Sequence, residues 1–459
     1  MKLEKTINRK HKITGKYIAL SAVLLFVNPI IVMSAEWVFE PSIRMGAIYD
    51  DNFRLSTVAE PASGMTLHPK IRLSKRTEVS EIKLSGHTHS SRYDNSRFDS
   101  DEIELDLASS FQNTERSTFK LNADISRKPL NTTEEEDSGR FETGRDKDQM
   151  TFNPSWDYTL SESSRLQVYY SGQDVDYNGS TSHTDYQYHS LVGSYLFRQS
   201  EKNQYSISLV ASRYDPNHRA QTYIGENCIG SLFGGHCTNN DGDRDPEEPI
   251  IVEEAFATSN ITDSIGFHLG VSRNFSQTLI GNVKIGLTRS ENTLIRDATP
   301  FETDHADEFT FMTPTAVSTG IINTVTESTL TTLEASLTKN YELTSIVATL
   351  KNSLKPSSNG TLNESASAEL EVEHEMSSRL KLSANLKADS NQTQGSTSVL
   401  DRDFYTASLR ASWQLSKWWR LGANYRYRQQ KYDASSGSID SNRVAVTLAY
   451  AGPKKSISR

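Results

Sequence analysis

Basic side chains recur at alternate positions in several short segments near the two ends of the chain. In each segment polar and apolar residues alternate, and the basic side chains occupy polar positions. They are Arg44, Lys70, Arg72, Lys381, Lys387, Arg410, Arg420, Arg426, Arg428 and Arg443. A wall of one charge concentrates counter-ions along a channel. The pattern therefore predicts a cationic track for an anionic chain, for example a polymer that contains uronic acid.

Carboxylates occupy the same kind of row in other segments. Glu104 and Asp106 share one segment, while Glu369, Glu371 and Glu373 share another. In a second interpretation, the acidic and basic rows pair with each other and the ion pairs only stiffen the wall. The sequence leaves the track and the ion-pair interpretations open.

Residues arranged for catalysis are scarce. The histidines are scattered, and neither Gly-x-Ser-x-Gly nor His-Glu-x-x-His occurs. His87 and His89 share a row with Glu81 and could form an acid–base set, although polar residues facing a watery interior explain them as well. We predict no enzyme, no cofactor and no metal site. The acidic overall charge also argues against a nucleic-acid partner.

The longest polar link holds both cysteines of the chain, Cys228 and Cys237. An isolated close pair in an exported protein predicts one disulfide, with two unpaired thiols as the alternative. Asn239–Asp245 follows with alternating oxygen-bearing side chains around a glycine, a pattern that could bind Ca²⁺. The expected bidentate glutamate is missing, because Ile250 stands in its place. We therefore predict a solvated acidic loop.

The rows of charge belong to segments in which apolar and polar residues alternate, most clearly in 403–450. Tyr405, Leu409 and Trp413 share one face of the first run there, and Thr406 and Arg410 share the other. A period of two indicates β-strands. Aromatic residues cap the apolar rows, as they do at the two interfaces of a bilayer in transmembrane barrels.

The N-terminus has the order of a secretory signal. Residues 1–16 are basic, 17–33 are apolar, and the small pair Ser34-Ala35 precedes the expected cleavage site. An uncleaved anchor helix is the alternative. Removal of residues 1–35 takes away six basic residues and one acidic residue, which changes the formal charge from −9 to −14.

The composition suits a barrel with a watery interior. Hydrophobic residues make up only 35% of the chain and the mean hydropathy is −0.57, too little for a conventional core of this length. Alternating segments recur about 18 times (16–18), joined by links that are alternately short and long. We predict an all-β, antiparallel, up-and-down transmembrane β-barrel over residues 36–450, with short periplasmic turns, long extracellular loops and a short periplasmic tail at 451–459.

Short aromatic motifs add a family resemblance. Trp37-Val-Phe-Glu-Pro41, Ile48-Tyr-Asp-Asp-Asn52, the Tyr- and Asp-rich stretch 170–188 and the Leu-Ser-x-x-x-Arg-Leu turns resemble the outer-membrane β-barrel porin family associated with exopolysaccharide and exosortase gene clusters. The resemblance implies a Gram-negative outer-membrane channel, embedded in the lipid bilayer, that exports an exopolysaccharide or capsular polysaccharide. It also implies a periplasmic polysaccharide co-polymerase as partner, and it transfers no catalytic residues. The alternatives are a general diffusion porin for small solutes and a loop-plugged surface or adhesion barrel.

Overall fold

A single antiparallel sheet closes on itself to form an 18-stranded barrel. The computed structural model describes residues 35–130, 144–180, 183–217, 256–298, 322–393, 401–433 and 437–458. Each barrel strand pairs with its neighbours in the chain, and β1 pairs with β18, for example at Arg44 and Ala449. The predicted up-and-down barrel and its strand number are confirmed.

The strands are long enough to cross a bilayer at a tilt. They are β1 Glu36–Asp50, β2 Ala62–Arg76, β3 Ser80–Tyr93, β4 Ser100–Thr114, β5 Ser117–Pro129, β6 Asp146–Ser161, β7 Ser164–Asn178, β8 Asp185–Arg198, β9 Asn203–Asn217, β10 Phe256–Ser276, β11 Leu279–Ala298, β12 Ile322–Asn340, β13 Thr344–Pro356, β14 Leu362–Glu375, β15 Leu380–Thr393, β16 Arg402–Gln414, β17 Trp419–Tyr432, β18 Ser438–Ala451 and β19 Lys455–Ser458. Within the described ranges, no helix has the length and apolar character that a membrane crossing requires.

The outer face of the barrel is an apolar belt. On β16, the side chains of Tyr405, Leu409 and Trp413 are 45%, 59% and 51% exposed, whereas Thr406 on the opposite face is 9% exposed. The same alternation places exposed apolar side chains on one face of each neighbouring strand. One apolar face per strand is all that a watery barrel needs, which reconciles the fold with the low apolar content.

Aromatic residues form a girdle at the end of the barrel that carries the short turns. The rings of Trp419 and Tyr450 lie 5.0 Å apart, and those of Phe119 and Trp156 lie 6.2 Å apart. The ammonium group of Lys75 lies 5.4 Å from the centre of the Trp37 ring at the same end. These contacts are typical of a membrane interface, where an aromatic ring has one wet and one apolar side.

Link length alternates as predicted. At the girdle end the strands are separated by two to four residues, and at the other end by five to 38 residues. Short turns face the periplasm in such barrels, so the girdle end is the periplasmic end. From the predicted tail, residues 455–458 form β19, which continues the wall by pairing with the start of β1, Trp37 opposite Ile457. The predicted signal peptide lies almost entirely outside the described residues.

The hairpin of β13 and β14 separates from β12 near its extracellular end, while β14 stays paired with β15 up to Asn363 and Thr393. β12 pairs with β13 only between residues 333–340 and 345–352, whereas β13 and β14 stay paired up to Pro356 and Leu362. The tip, residues 357–361, thereby turns towards β9 on another part of the wall. The buried apolar residues of the described barrel gather at this extracellular end, in two small clusters.

Candidate functional site

All ten predicted basic residues lie on lumen-facing rows. Strand closure makes β15–β18 and β1–β2 one continuous part of the wall, because Arg44 on β1 faces Ala449 on β18 and His68 on β2. On β17 the same row carries Arg420, Arg426 and Arg428, opposite Gln414, Ser408 and Thr406 of β16. The structure thus brings the basic residues together, although their surroundings differ along the barrel.

Near the extracellular end, the cations are engaged by carboxylates. Arg428 and Asp50 are both fully buried, and the Arg428 Nη2 donates to the Asp50 carboxylate at 2.6 Å. The same carboxylate accepts from the Arg443 Nε at 2.7 Å and from the Ser441 hydroxyl at 2.6 Å. Lys387 pairs with Asp389 at 3.1 Å. A buried guanidinium cannot contact a passing solute, so Arg428 belongs to a structural network and not to a track.

Near the periplasmic end, four basic residues have no carboxylate partner among the described residues: Arg44, Lys70, Arg410 and Arg420. We call these four the cationic vestibule. Arg44, Arg410 and Arg420 line a cavity of about 440 Å³ together with the ion pair of Lys381 and Glu373. Arg44, Lys70 and Arg420 line an adjoining cavity of about 260 Å³. The vestibule therefore holds charge that is accessible to water and solutes.

The acidic rows are engaged unequally. Glu373 pairs with Lys381 at 2.8 Å, and Glu369 accepts a hydrogen bond from the Asn385 amide at 2.6 Å. Glu371 faces Asn385 across β14 and β15. On β4, Glu104 contacts Lys128 of β5 and lies beside His87 of β3. Asp106, on the same strand, accepts a hydrogen bond from the Ser85 hydroxyl at 2.8 Å. Ion pairs therefore engage part of the charged rows, whereas the cations of the vestibule have no carboxylate partner among the described residues.

The sequence analysis missed two acidic partners of the basic rows, both on β1. Asp50 holds Arg428 and Arg443, while Glu40 holds Arg72 at 3.4 Å and also contacts Lys454. Both acids lie on the alternating inner row of β1, which was a usable signal. Their partners, however, follow from barrel closure and not from spacing along the chain. Cys228, Cys237 and Asn239–Asp245 lie outside the described residues.

Part of the wall matches a known family. Residues 342–451 match the family described as "Putative beta-barrel porin 2". The chain is a β-barrel of the outer membrane. The matched segment covers β13–β18, and it includes Arg410 and Arg420 of the cationic vestibule.

Several solved outer-membrane proteins are similar in structure to the barrel. OccK2 (OpdF) of Pseudomonas aeruginosa in complex with glucuronate has 12% identity and a TM-score of 0.43, covering 91% of this chain and 98% of that chain. OpdK of the same organism has 10% identity, a TM-score of 0.43 and coverage of 92% and 99%. The ferric-catecholate import receptor Fiu of E. coli K12 in its open form has 9% identity, a TM-score of 0.44 and coverage of 89% and 81%. No curated protein matches the sequence.

The extracellular mouth of the barrel is narrowed by the β13–β14 tip. The Tyr214 hydroxyl on β9 donates to the Ser357 carbonyl at 2.8 Å, and the Thr184 amide donates to the Ser358 carbonyl at 2.7 Å. Leu362 packs into a buried cluster with Leu130, Val175, Tyr177, Tyr186 and Tyr214. Since β9 and β13 are four strands apart, about 19 Å along the wall, the tip crosses part of the opening above β10–β12.

A second contact region orders the mouth beside β1 and β2. Phe53, Ala62 and Phe98 form a buried cluster that joins the first two extracellular links. The side-chain amide of Gln430 donates a hydrogen bond to the Leu55 carbonyl at 2.7 Å. At the start of the second link, the Asp94 carboxylate accepts hydrogen bonds from the hydroxyl and the backbone amide of Ser63 on β2. These hydrogen bonds hold the pKa of Asp94 below its ordinary value.

We expect Leu362→Asp to release the β13–β14 tip and to raise the single-channel conductance. An ionised carboxylate without a partner is strongly disfavoured inside the tyrosine cluster. Tyr214→Phe, which removes only the hydrogen bond to Ser357, should give a smaller increase. Val58→Asp is the control, because Val58 is an exposed apolar residue on another extracellular link. An unchanged conductance in a folded Leu362→Asp barrel would show that the tip does not narrow the pore.

Proposed function

We propose that the barrel is an outer-membrane channel that exports an anionic exopolysaccharide or capsular polysaccharide. The observation that carries the proposal is the cationic vestibule at the periplasmic end. A polymer leaving the cell enters the barrel from that side. Four positive charges at the entrance raise the local concentration of an anionic chain and so favour its capture.

The division of charge along the lumen supports passage as well as capture. Beyond the vestibule, the cations near the extracellular end are neutralised by Asp50 and Asp389. A polyanion that advances past the vestibule therefore meets a wall with little net attraction, so it is not held tightly at the exit. Transport requires binding that is favourable enough for entrance and weak enough for release. The family resemblance supports a saccharide cargo and a periplasmic co-polymerase that delivers it.

A second candidate is a general diffusion porin for small solutes. The observation in its favour is the β13–β14 tip, which crosses part of the extracellular mouth and restricts the width available to a polymer. A barrel closed further by its loops, acting at the cell surface, is the extreme form of this alternative. Export therefore requires the tip to leave the mouth or the polymer to pass beside it.

Deletion of the gene in the producing strain tests the export proposal. The polymer in the medium should fall and periplasmic polymer should accumulate, and the wild-type gene should restore delivery. A variant that inserts into the membrane but carries glutamine at all four vestibule positions should restore it poorly. Normal delivery without the barrel would refute export. Normal delivery together with slower uptake of small solutes would favour the diffusion porin.

A further inference from the structure

Three histidines and two carboxylates form a compact group on the lumen face of β2–β4. The Nδ1 atoms of His68 and His89 lie 3.3 Å apart, and the His87 ring stacks on the His68 ring with centres 5.0 Å apart. On the other side, His87 lies between two carboxylates, with 3.7 Å from its Nε2 to the Glu104 Oε2 and 3.8 Å from its Nδ1 to the Asp106 Oδ2. The five side chains come from three adjacent strands, so the register of the sheet fixes their spacing.

We propose that this group binds a divalent transition-metal ion, with His87, Glu104 and Asp106 as ligands. One ligand atom from each of the three lies within 4.8 Å of the others. Tetrahedral ligands at about 2.1 Å from a metal stand about 3.4 Å apart, so small side-chain rotations bring the three atoms to bonding distance. The His87 Nδ1 is buried and has no hydrogen-bond partner in the described structure, although the Asp106 carboxylate lies beside it.

The ligand chemistry selects the class of metal. An imidazole nitrogen with two carboxylate oxygens suits Zn²⁺ and its neighbours, whereas Ca²⁺ and Mg²⁺ prefer sites made of oxygen alone. His68 acts as a positioning residue, since its stacked ring and its contact with His89 fix the plane of His87. The competitor is Lys128, whose ammonium group contacts Glu104 and must leave for the metal to bind. Its side chain is one-third exposed, so it can turn into the lumen.

A bound metal would extend the cationic vestibule around the wall. Lys70 faces His87 across β2 and β3, and Arg44 faces His68 across β1 and β2. The ion would neutralise Glu104 and Asp106 on this part of the lumen wall. Metal binding itself does not depend on which solute the channel carries.

Titration of the purified, folded barrel with Zn²⁺ in detergent micelles tests the site by calorimetry, and Co²⁺ absorption reports the ligand set. We expect one site that His87→Ala abolishes. Glu104→Gln and Asp106→Asn keep the shape of the side chains and should each weaken binding by at least about tenfold. Lys128→Gln should tighten binding, because it removes the competing cation.

His268→Ala is the matched control, because His268 is a lumen-facing histidine on β10, away from the group. It should bind Zn²⁺ as the wild type does. The proposal is overturned if His87→Ala retains the stoichiometry and affinity of the wild type. It is also overturned if His268→Ala lowers the affinity as much as His87→Ala, or if Lys128→Gln weakens binding. A folded His87→Ala barrel with normal polymer delivery would leave the export proposal intact, so the two proposals can fail separately.

Discussion

Replacing Asp50 by asparagine is expected to lower the free energy of unfolding of the barrel by about 3–5 kcal/mol. The Asp50 carboxylate is fully buried and accepts from Arg428, Arg443 and Ser441 within 2.7 Å. Asparagine has nearly the same shape but no charge, so the buried Arg428 guanidinium loses the negative charge of Asp50 while remaining out of water. Removing one partner of a buried pair costs much more than the intact pair contributes, because the desolvated charge stays behind.

Urea unfolding of the barrel in detergent micelles, followed by tryptophan fluorescence, measures this loss. Asp440→Asn is the control, since Asp440 is an exposed aspartate on β18 that lies, like Asp50, at the extracellular end of the barrel. Its effect should stay within about 0.5 kcal/mol. The backbone amide of Asn52 also donates to the Asp50 carboxylate at 3.1 Å. Asp50→Asn should therefore loosen the first extracellular link as well. Equal stability of the two variants would contradict the assigned role of the network.

Neutralising the cationic vestibule is expected to lower the preference of the channel for anions by at least about fivefold. At about 8 Å in water, each charge attracts a monovalent anion by about 0.5 kcal/mol, so four contribute about 2 kcal/mol. Screening at 0.1 M salt roughly halves this energy, which leaves about a fivefold enrichment of anions. The variant carries glutamine at Arg44, Lys70, Arg410 and Arg420, and reversal potentials across a planar bilayer give its selectivity.

The control for this experiment removes an ion pair from the same cavity. Lys381→Gln combined with Glu373→Gln changes two charged residues but leaves the net charge unaltered. We expect its selectivity to stay close to that of the wild type. If the two variants show the same selectivity, or if the wild type prefers cations, the vestibule does not govern passage. Higher salt should reduce the difference between wild type and the glutamine variant, because the four charges are accessible to solvent.

The proposed metal site depends on strand pairing that the sequence alone does not specify. Glu104, Asp106 and the histidines could each be assigned to an inner row, because alternation fixes which face a strand residue occupies. Their meeting at His87 depends on the pairing register of β3 with β4, which places His87 opposite Glu104. Register is set by the turns and by packing across strands, and a slip of one residue changes all the partners. A metal site was therefore not predicted.

The sequence by itself determined the barrel, its strands, the alternation of short and long links, and the inward direction of the ten basic residues. These features are local, since a period of two and the turn residues are set by each segment alone. Only the tertiary structure decided which of those residues are free to meet a solute. Closure of β1 on β18 buries Arg428 against Asp50, residues that are 378 positions apart in the chain, and leaves Arg44 and Arg420 together in a shared cavity. Burial and ion pairing across such distances depend on how the whole sheet closes, and the pattern of any single strand contains no information about them.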